Sequence, residues 1–214
     1  MLITSQERIV HIPAGGFSLE GALTLPAQAR GMVIFAHGSG SSRHSPRSKY
    51  VAQMLQEAQF GTLLTDLLTG GEDEDYGKRF DIELLTERLL LITEWYRQEA
   101  DNQGLALGYF GASTGAAAAL KAAADAGPLI KAVVSRGGRP DLAGSVLGRV
   151  TAPTLFIVGG KDTEVIELNQ LAFEKMKAKK ELMIVPGATH LFPEAGKLEE
   201  AASLAATWFT DHLA

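Results

Sequence analysis

The sequence contains no cysteine. That absence removes disulfides, thiolate metal sites and a cysteine nucleophile together, and it leaves the redox compartment open. No apolar run approaches the roughly 20 residues that a membrane-crossing helix needs, so no membrane partner is expected. The amino terminus, MLITSQERIVHIP, lacks a basic start followed by a long apolar stretch. No secretory leader is therefore expected, and a cytoplasmic location is the default. Positive charge is not in excess: 20 Lys and Arg stand against 25 Asp and Glu, a formal charge of −5. With no basic stripe and no interleaved aromatics, no nucleic-acid partner is expected. The acidic run Glu72-Asp73-Glu74-Asp75 has no convergent histidine or spaced ligands, so it reads as a solvated loop and no metal or other cofactor is implied. Internal repeats, low-complexity tracts and linker-like boundaries are also missing.

What is present is an ordinary globular composition, 46% hydrophobic and 21% charged. A chain of 214 residues can bury a substantial core and is most simply one domain, residues 1–214. Residues 8–12 and 17–25 are β-like around Ala14-Gly15-Gly16, which suits an antiparallel hairpin. From residue 31 onward, apolar runs alternate with helical periodicity. Strands are expected at 31–36, 61–68, 105–110, 130–135, 154–158 and 181–185. Between them, Val51, Met54, Leu55 and Ala58 mark one helical face, and Leu85, Leu89, Ile92 and Tyr96 mark another. Helices are also expected after Ser113, around Val165–Met176 and over Leu198–Phe209, with a short helical piece within 141–147 that Asp141 would cap. This alternation, with Val- and Leu-rich strands, implies an α/β fold: a mostly parallel sheet covered by helices on both faces. Functional residues then gather at the carboxyl ends of the strands.

The stretch Leu105–Gly115 (LALGYFGASTG) passes from strand to helix with no loop between. Gly111-Ala112-Ser113-Thr114-Gly115 is a G-x-S-x-G in the context a nucleophile elbow requires. Ser113 is the candidate nucleophile. Two later strand ends supply partners, Asp162 after Gly159-Gly160-Lys161 and His190 after Pro186–Thr189. A serine hydroxyl needs an adjacent base, imidazole can fill that role near neutral pH, and a carboxylate can fix its tautomer. The order Ser, Asp, His is that of α/β-hydrolase triads. His37 competes with His190 as base, and Asp66 with Asp162 as acid. Oxyanion donors would be the backbone N–H groups of Thr114, at the start of the elbow helix, and of Ser39, in the Gly-Ser loop after the strand at 31–36. Arg136 and Arg139 lie at the strand end beside that of Ser113. They are either an anion clamp for substrate or partners of Asp141 and the acidic loop. Gly38–Arg43 resembles the opening of a dinucleotide fingerprint, but Arg43 stands where its third glycine would be.

Four segments carry a family resemblance: His37-Gly38-Ser39-Gly40, Gly111–Gly115, Val158–Asp162 and Gly187-Ala188-Thr189-His190-Leu191-Phe192. With these, the chain resembles an α/β-hydrolase of the small, nearly lidless, dienelactone-hydrolase-like kind. The resemblance implies a three-layer α/β/α sandwich with about seven or eight strands and no large cap. It also implies Ser-Asp-His chemistry on esters or lactones. Ser113 stands where dienelactone hydrolases proper have cysteine, so their lactone substrate does not carry over. The longest gap that could cover the site, Thr69–Asp81, is short, which favours small or soluble ester substrates. A hydrolase-fold binding module with an unused triad, and an acyltransferase using the same triad, are the alternatives. The sequence leaves open whether the protein is a monomer or a homodimer.

Overall fold

The computed structural model describes residues 6–99 and 104–213. The first five residues, part of the stretch read above for a leader, lie outside them. Eight strands form one sheet: β1 (Arg8–Pro13), β2 (Ser18–Thr24), β3 (Met32–Ala36), β4 (Gly61–Thr65), β5 (Leu107–Ala112), β6 (Ile130–Arg136), β7 (Thr154–Gly159) and β8 (Lys180–Val185). Among the described residues the helices are α1 (Pro46–Glu57), α2 (Gly70–Asp73), α3 (Ile82–Gln98), α4 (Thr114–Ala126), α5 (Thr163–Lys175) and α6 (Lys197–Leu213), all but the single turn α2 packed on the sheet. The strand order is β1-β2-β4-β3-β5-β6-β7-β8. β1 and β2 pair antiparallel, β2 meets β4 antiparallel, and every later pairing is parallel. From β3 the chain first adds β4 on one side and then β5 on the other. The order therefore reverses at β3, and the carboxyl ends of β3 and β5 flank the crevice where open α/β sheets place their ligands.

Burial follows from the alternation of side chains along each strand. Val33 and Phe35 face α1 and α6 together with Phe110, Val134 and Ile157. Met32, Ile34, Tyr109, Val133 and Phe156 face α3, α4 and α5. α4 is the most enclosed helix, with Ala116, Ala117, Ala118 and Ala119 all at 0% exposure. Alanine favours the helix intrinsically, and its single methyl lets α4 lie close to the sheet. Tyr109 is buried in the layer beneath α3, where its hydroxyl meets Thr93 Oγ1 at 2.7 Å, and burial pushes the phenol upward. Among the described residues no inserted domain interrupts the alternation, and no helix is long and apolar enough to cross a membrane.

Three local expectations need correction. β4 ends at Thr65, short of Leu68. The acidic stretch beyond it is not all loop. Thr69 and Glu72 form a reciprocal capping box that opens α2, and Glu72 is tied to Arg88 of α3 at 2.9 Å. The piece after β6 runs from Pro140 to Arg149 as 3-10 helix broken at Gly144 (φ 61°, ψ −130°). Asp141 does not cap it, because its carboxylate is taken by the Arg139 guanidinium.

Candidate active site

The elbow is built by close approach of backbones. A Cβ on Gly111 would stand 2.5 Å from Ala116 Cα, and one on Gly115 would stand 2.2 Å from the Ala36 carbonyl oxygen. Only glycine fits where the end of β5, the start of α4 and the end of β3 converge. Between them Ser113 holds φ 51°, ψ −122°, a strained conformation for a residue with a Cβ. β6 and the turn after it hold it there: the Ser113 N–H donates to the Arg136 carbonyl at 3.3 Å, and the Ser113 carbonyl accepts from the Arg139 N–H at 3.0 Å. The hydroxyl makes no helix-capping bond. Gly38 packs against it, a Cβ there falling 3.0 Å from Ser113 Cβ.

Asp162 and His190 come together from adjacent strand ends. The two loops are laced by Gly160 N–H to the Val185 carbonyl (2.8 Å) and Lys161 N–H to the Ala188 carbonyl (2.9 Å). Asp162 begins α5 but makes no side-chain cap. Its Oδ2 instead accepts from His190 Nδ1 at 2.6 Å, which leaves Nε2 free to act as acceptor. Glu194 braces the histidine loop by accepting from the N–H and the hydroxyl of Thr189. Its carboxyl lies below the ordinary carboxylate range: burial pushes it upward, and the Thr189 bonds outweigh that. No Ser113–His190 hydrogen bond forms among the described residues, but both meet the end of β6. Gly137, at φ 50°, places its Cα so that a Cβ would fall 3.6 Å from the His190 ring.

The two predicted oxyanion donors meet each other. The Ser39 N–H donates to Thr114 Oγ1 at 2.8 Å. Thr114 is the first residue of α4, so its own N–H has no intrahelical acceptor.

The competing residues are engaged elsewhere. His37 is buried; its Nε2 accepts from the Leu67 N–H at 3.0 Å, so Nδ1 carries the proton and donates to the Gly38 carbonyl at 2.9 Å. Asp66 accepts from the backbone and guanidinium of Arg43, which also reaches Glu20. Arg139 forms a two-pronged pair with Asp141 at 2.8 and 2.9 Å. Arg136 is 6% exposed and has no carboxylate partner among the described residues. Among the described residues no group of three or more His, Asp and Glu side chains is arranged to hold a metal ion. Sequence reasoning missed Gly137 and Glu194, whose roles depend on packing between distant segments. In sequence Arg47 reads, with Arg43, His44 and Lys49, as part of a solvated helix start; in the structure its Nε is buried without a hydrogen-bond partner among the described residues.

Burial pulls the His37 imidazole below its ordinary range, against the upward pull of Gly38 and Asp66. Above the unfolded histidine value near pH 6.5 both states are neutral there. Below it the unfolded chain takes up a proton that the native chain resists, so stability is lost as pH falls, by at most about 1.4 kcal/mol per pH unit for one group. Thermal melts between pH 7.5 and 5 should therefore fall more steeply for the wild type than for His37→Gln. Equal slopes would show that His37 titrates normally.

The family model of the dienelactone hydrolase family matches residues 19–213. A dienelactone hydrolase crystal structure from Anabaena variabilis is 52% identical, with a TM-score of 0.95 over 99% of this chain and 100% of that one. Est1E from Butyrivibrio proteoclasticus shares the fold at 17% identity, with a TM-score of 0.80 over 95% of this chain and 98% of that one. Two curated Mycobacterium tuberculosis proteins are 57% identical over 204 residues, and their names propose a phosphoribosyl transferase. Those matches cover 95% of this chain but only 46% of the relatives' length. With a match that runs through the sheet, the elbow, the Asp162 loop and the His190 loop, the chain belongs to the dienelactone hydrolase family.

Proposed function

We propose that the chain is a serine hydrolase that cleaves small or soluble carboxylic esters or lactones through an acyl-enzyme. The observation that carries this reading is the 2.6 Å bond between His190 Nδ1 and Asp162, formed at the same carboxyl edge of the sheet as a serine held at φ 51° on a strand-to-helix turn. In this reading His190 Nε2 takes the Ser113 proton as Oγ attacks the ester carbonyl, and later delivers it to the leaving alcohol. Water then repeats the sequence in reverse roles to release the acid. Asp162 holds the tautomer and stabilises the imidazolium.

The oxyanion would be met by the Thr114 N–H at the positive end of α4. The bond from the Ser39 N–H to Thr114 Oγ1 offers two routes to a second donor. Either the hydroxyl swings away and frees the Ser39 N–H, or it stays and turns its own hydrogen to the oxyanion. The absence of an inserted domain among the described residues favours small substrates over long-chain lipids. The name of the Anabaena relative supports lactone or ester chemistry. The transferase names belong to proteins about twice as long, and no feature of this site favours that reading over hydrolysis.

A fluorophosphonate probe tests the proposal directly. The expected result is one covalent adduct per chain, on the Ser113 peptide, prevented by Ser113→Ala. Folded protein that stays unlabelled would instead favour a binding module with an unused triad. Product analysis with added alcohol acceptors separates hydrolysis from acyl transfer.

A further inference from the structure

Arg136 ends β6, one residue before Gly137, and its carbonyl holds the Ser113 N–H. Its side chain points to the face shared with α1 and α6, over the Phe192 ring, 5.5 Å from guanidinium carbon to centroid. Phe192 lies two residues after His190, so Arg136 touches both loops: its carbonyl holds the Ser113 N–H and its guanidinium lies over a ring of the histidine loop. It is 6% exposed, and its Nε and Nη1 are buried without a hydrogen-bond partner among the described residues. The charge that acts on it is a second arginine. Burial, and then the positive charge of Arg47, pull Arg136 down to about 10. Arg47 is the second residue of α1, and its Nε is also buried and unpartnered. Neighbouring arginines behave differently: Arg43 has Asp66 and Glu20, Arg79 has Asp73, and Arg139 has Asp141.

A buried guanidinium and a half-buried one of the same charge, neither with a carboxylate partner among the described residues, are costly unless an anion joins them. Together they carry two positive charges. A carboxylate would neutralise one, whereas a phosphate monoester carries nearly two negative charges at neutral pH and presents several acceptor oxygens to guanidinium forks. The first turn of α1 adds its own positive end. The chain as a whole is acidic, at −5, so this site is not part of a general basic surface.

We propose that Arg47 and Arg136 form an anion subsite beside Ser113 that holds a phosphate group carried by the ester substrate. The substrate role rests on the hydrolase reading above; the anion site itself does not.

The test uses three matched esters whose far end is a methyl group, a carboxylate or a phosphate, together with calorimetry of inorganic phosphate. The phosphate-ended ester should exceed the methyl-ended one in kcat/KM by on the order of 10- to 100-fold, the worth of one or two charge-assisted bonds. That ratio should collapse towards one in Arg136→Gln and Arg47→Gln, and phosphate binding should weaken in both. Arg136→Lys, which keeps the charge and loses the fork, should give an intermediate ratio and decides the matter if the glutamine variant does not fold. A wild-type ratio near one, a ratio insensitive to both arginines, or a preference for the carboxylate-ended ester would overturn the proposal. If the protein cleaves none of the three yet binds phosphate through these arginines, the hydrolase reading falls and the anion site stands. If it cleaves the methyl-ended ester with no phosphate dependence, the site falls and the hydrolase stands.

Discussion

Ser113→Ala should lower kcat for ester hydrolysis on the order of 10⁴- to 10⁶-fold, His190→Ala should do the same, and the double variant should be hardly worse than either. The non-additivity is the informative part. Once the nucleophile is gone the base has no proton to take, and once the base is gone the serine hydroxyl is not activated. Residual rate would come from the oxyanion donors and from binding, which both variants keep. The Ser113 hydroxyl caps nothing, so its removal should leave the melting temperature close to that of the wild type. Steady-state kinetics on a short-chain ester, with melts as the folding control, give the answer. A His190→Ala enzyme that kept near-wild-type kcat while His37→Ala lost it would transfer the role of base to His37. The double engagement of His37, by the Leu67 N–H on one nitrogen and the Gly38 carbonyl on the other, argues against that outcome.

Asp162→Asn should cost on the order of 10⁴-fold in kcat, with a much smaller change in KM. The amide that replaces the carboxylate can turn its NH₂ towards Nδ1. The ring would then carry its proton on Nε2, the nitrogen that must accept from Ser113. Loss of the negative charge also removes support for the imidazolium. The fold should tolerate the change, because the backbone bonds of Asp162 to Gly159 and Ile166 do not involve the side chain. Asp66→Asn should behave in the opposite way. Its carboxylate is held by Arg43, so the variant should lose stability and keep its chemistry. If Asp66→Asn lowered kcat more than Asp162→Asn, the acid would have been wrongly assigned.

The sheet and its helices were legible because both signals are strong in this chain. Buried parallel strands read as unbroken apolar runs, and the flanking helices repeat their apolar residues at i, i+3, i+4 and i+7. The elbow was legible too, since Gly111 and Gly115 are demanded by contacts that any Cβ would break. α2 could have been read from Thr69-x-x-Glu72, a capping-box pattern obscured by the acidic residues around it. Other features lay beyond local reasoning. Asp162 could be named from the order Ser, Asp, His, but its choice over Asp66 needed the fold, in which Asp162 accepts from His190 Nδ1 while Asp66 is held by Arg43. Arg136 and Arg139 look alike in sequence. Arg139 is paired with Asp141 two residues away, and Arg136 is buried against Phe192 with no acidic partner among the described residues, a difference that exists only in three dimensions.

The backbone at Ser113 sets stability against activity. A residue with a Cβ held at φ 51° carries strain of about 1–3 kcal/mol, which glycine would not. The position that gives the enzyme its proposed nucleophile is therefore one where the fold alone would prefer another residue. Variants selected only for heat resistance would drift towards glycine at 113, and the hardiest of them would be inactive. Screens for a more robust form of this protein need turnover in the selection from the first round.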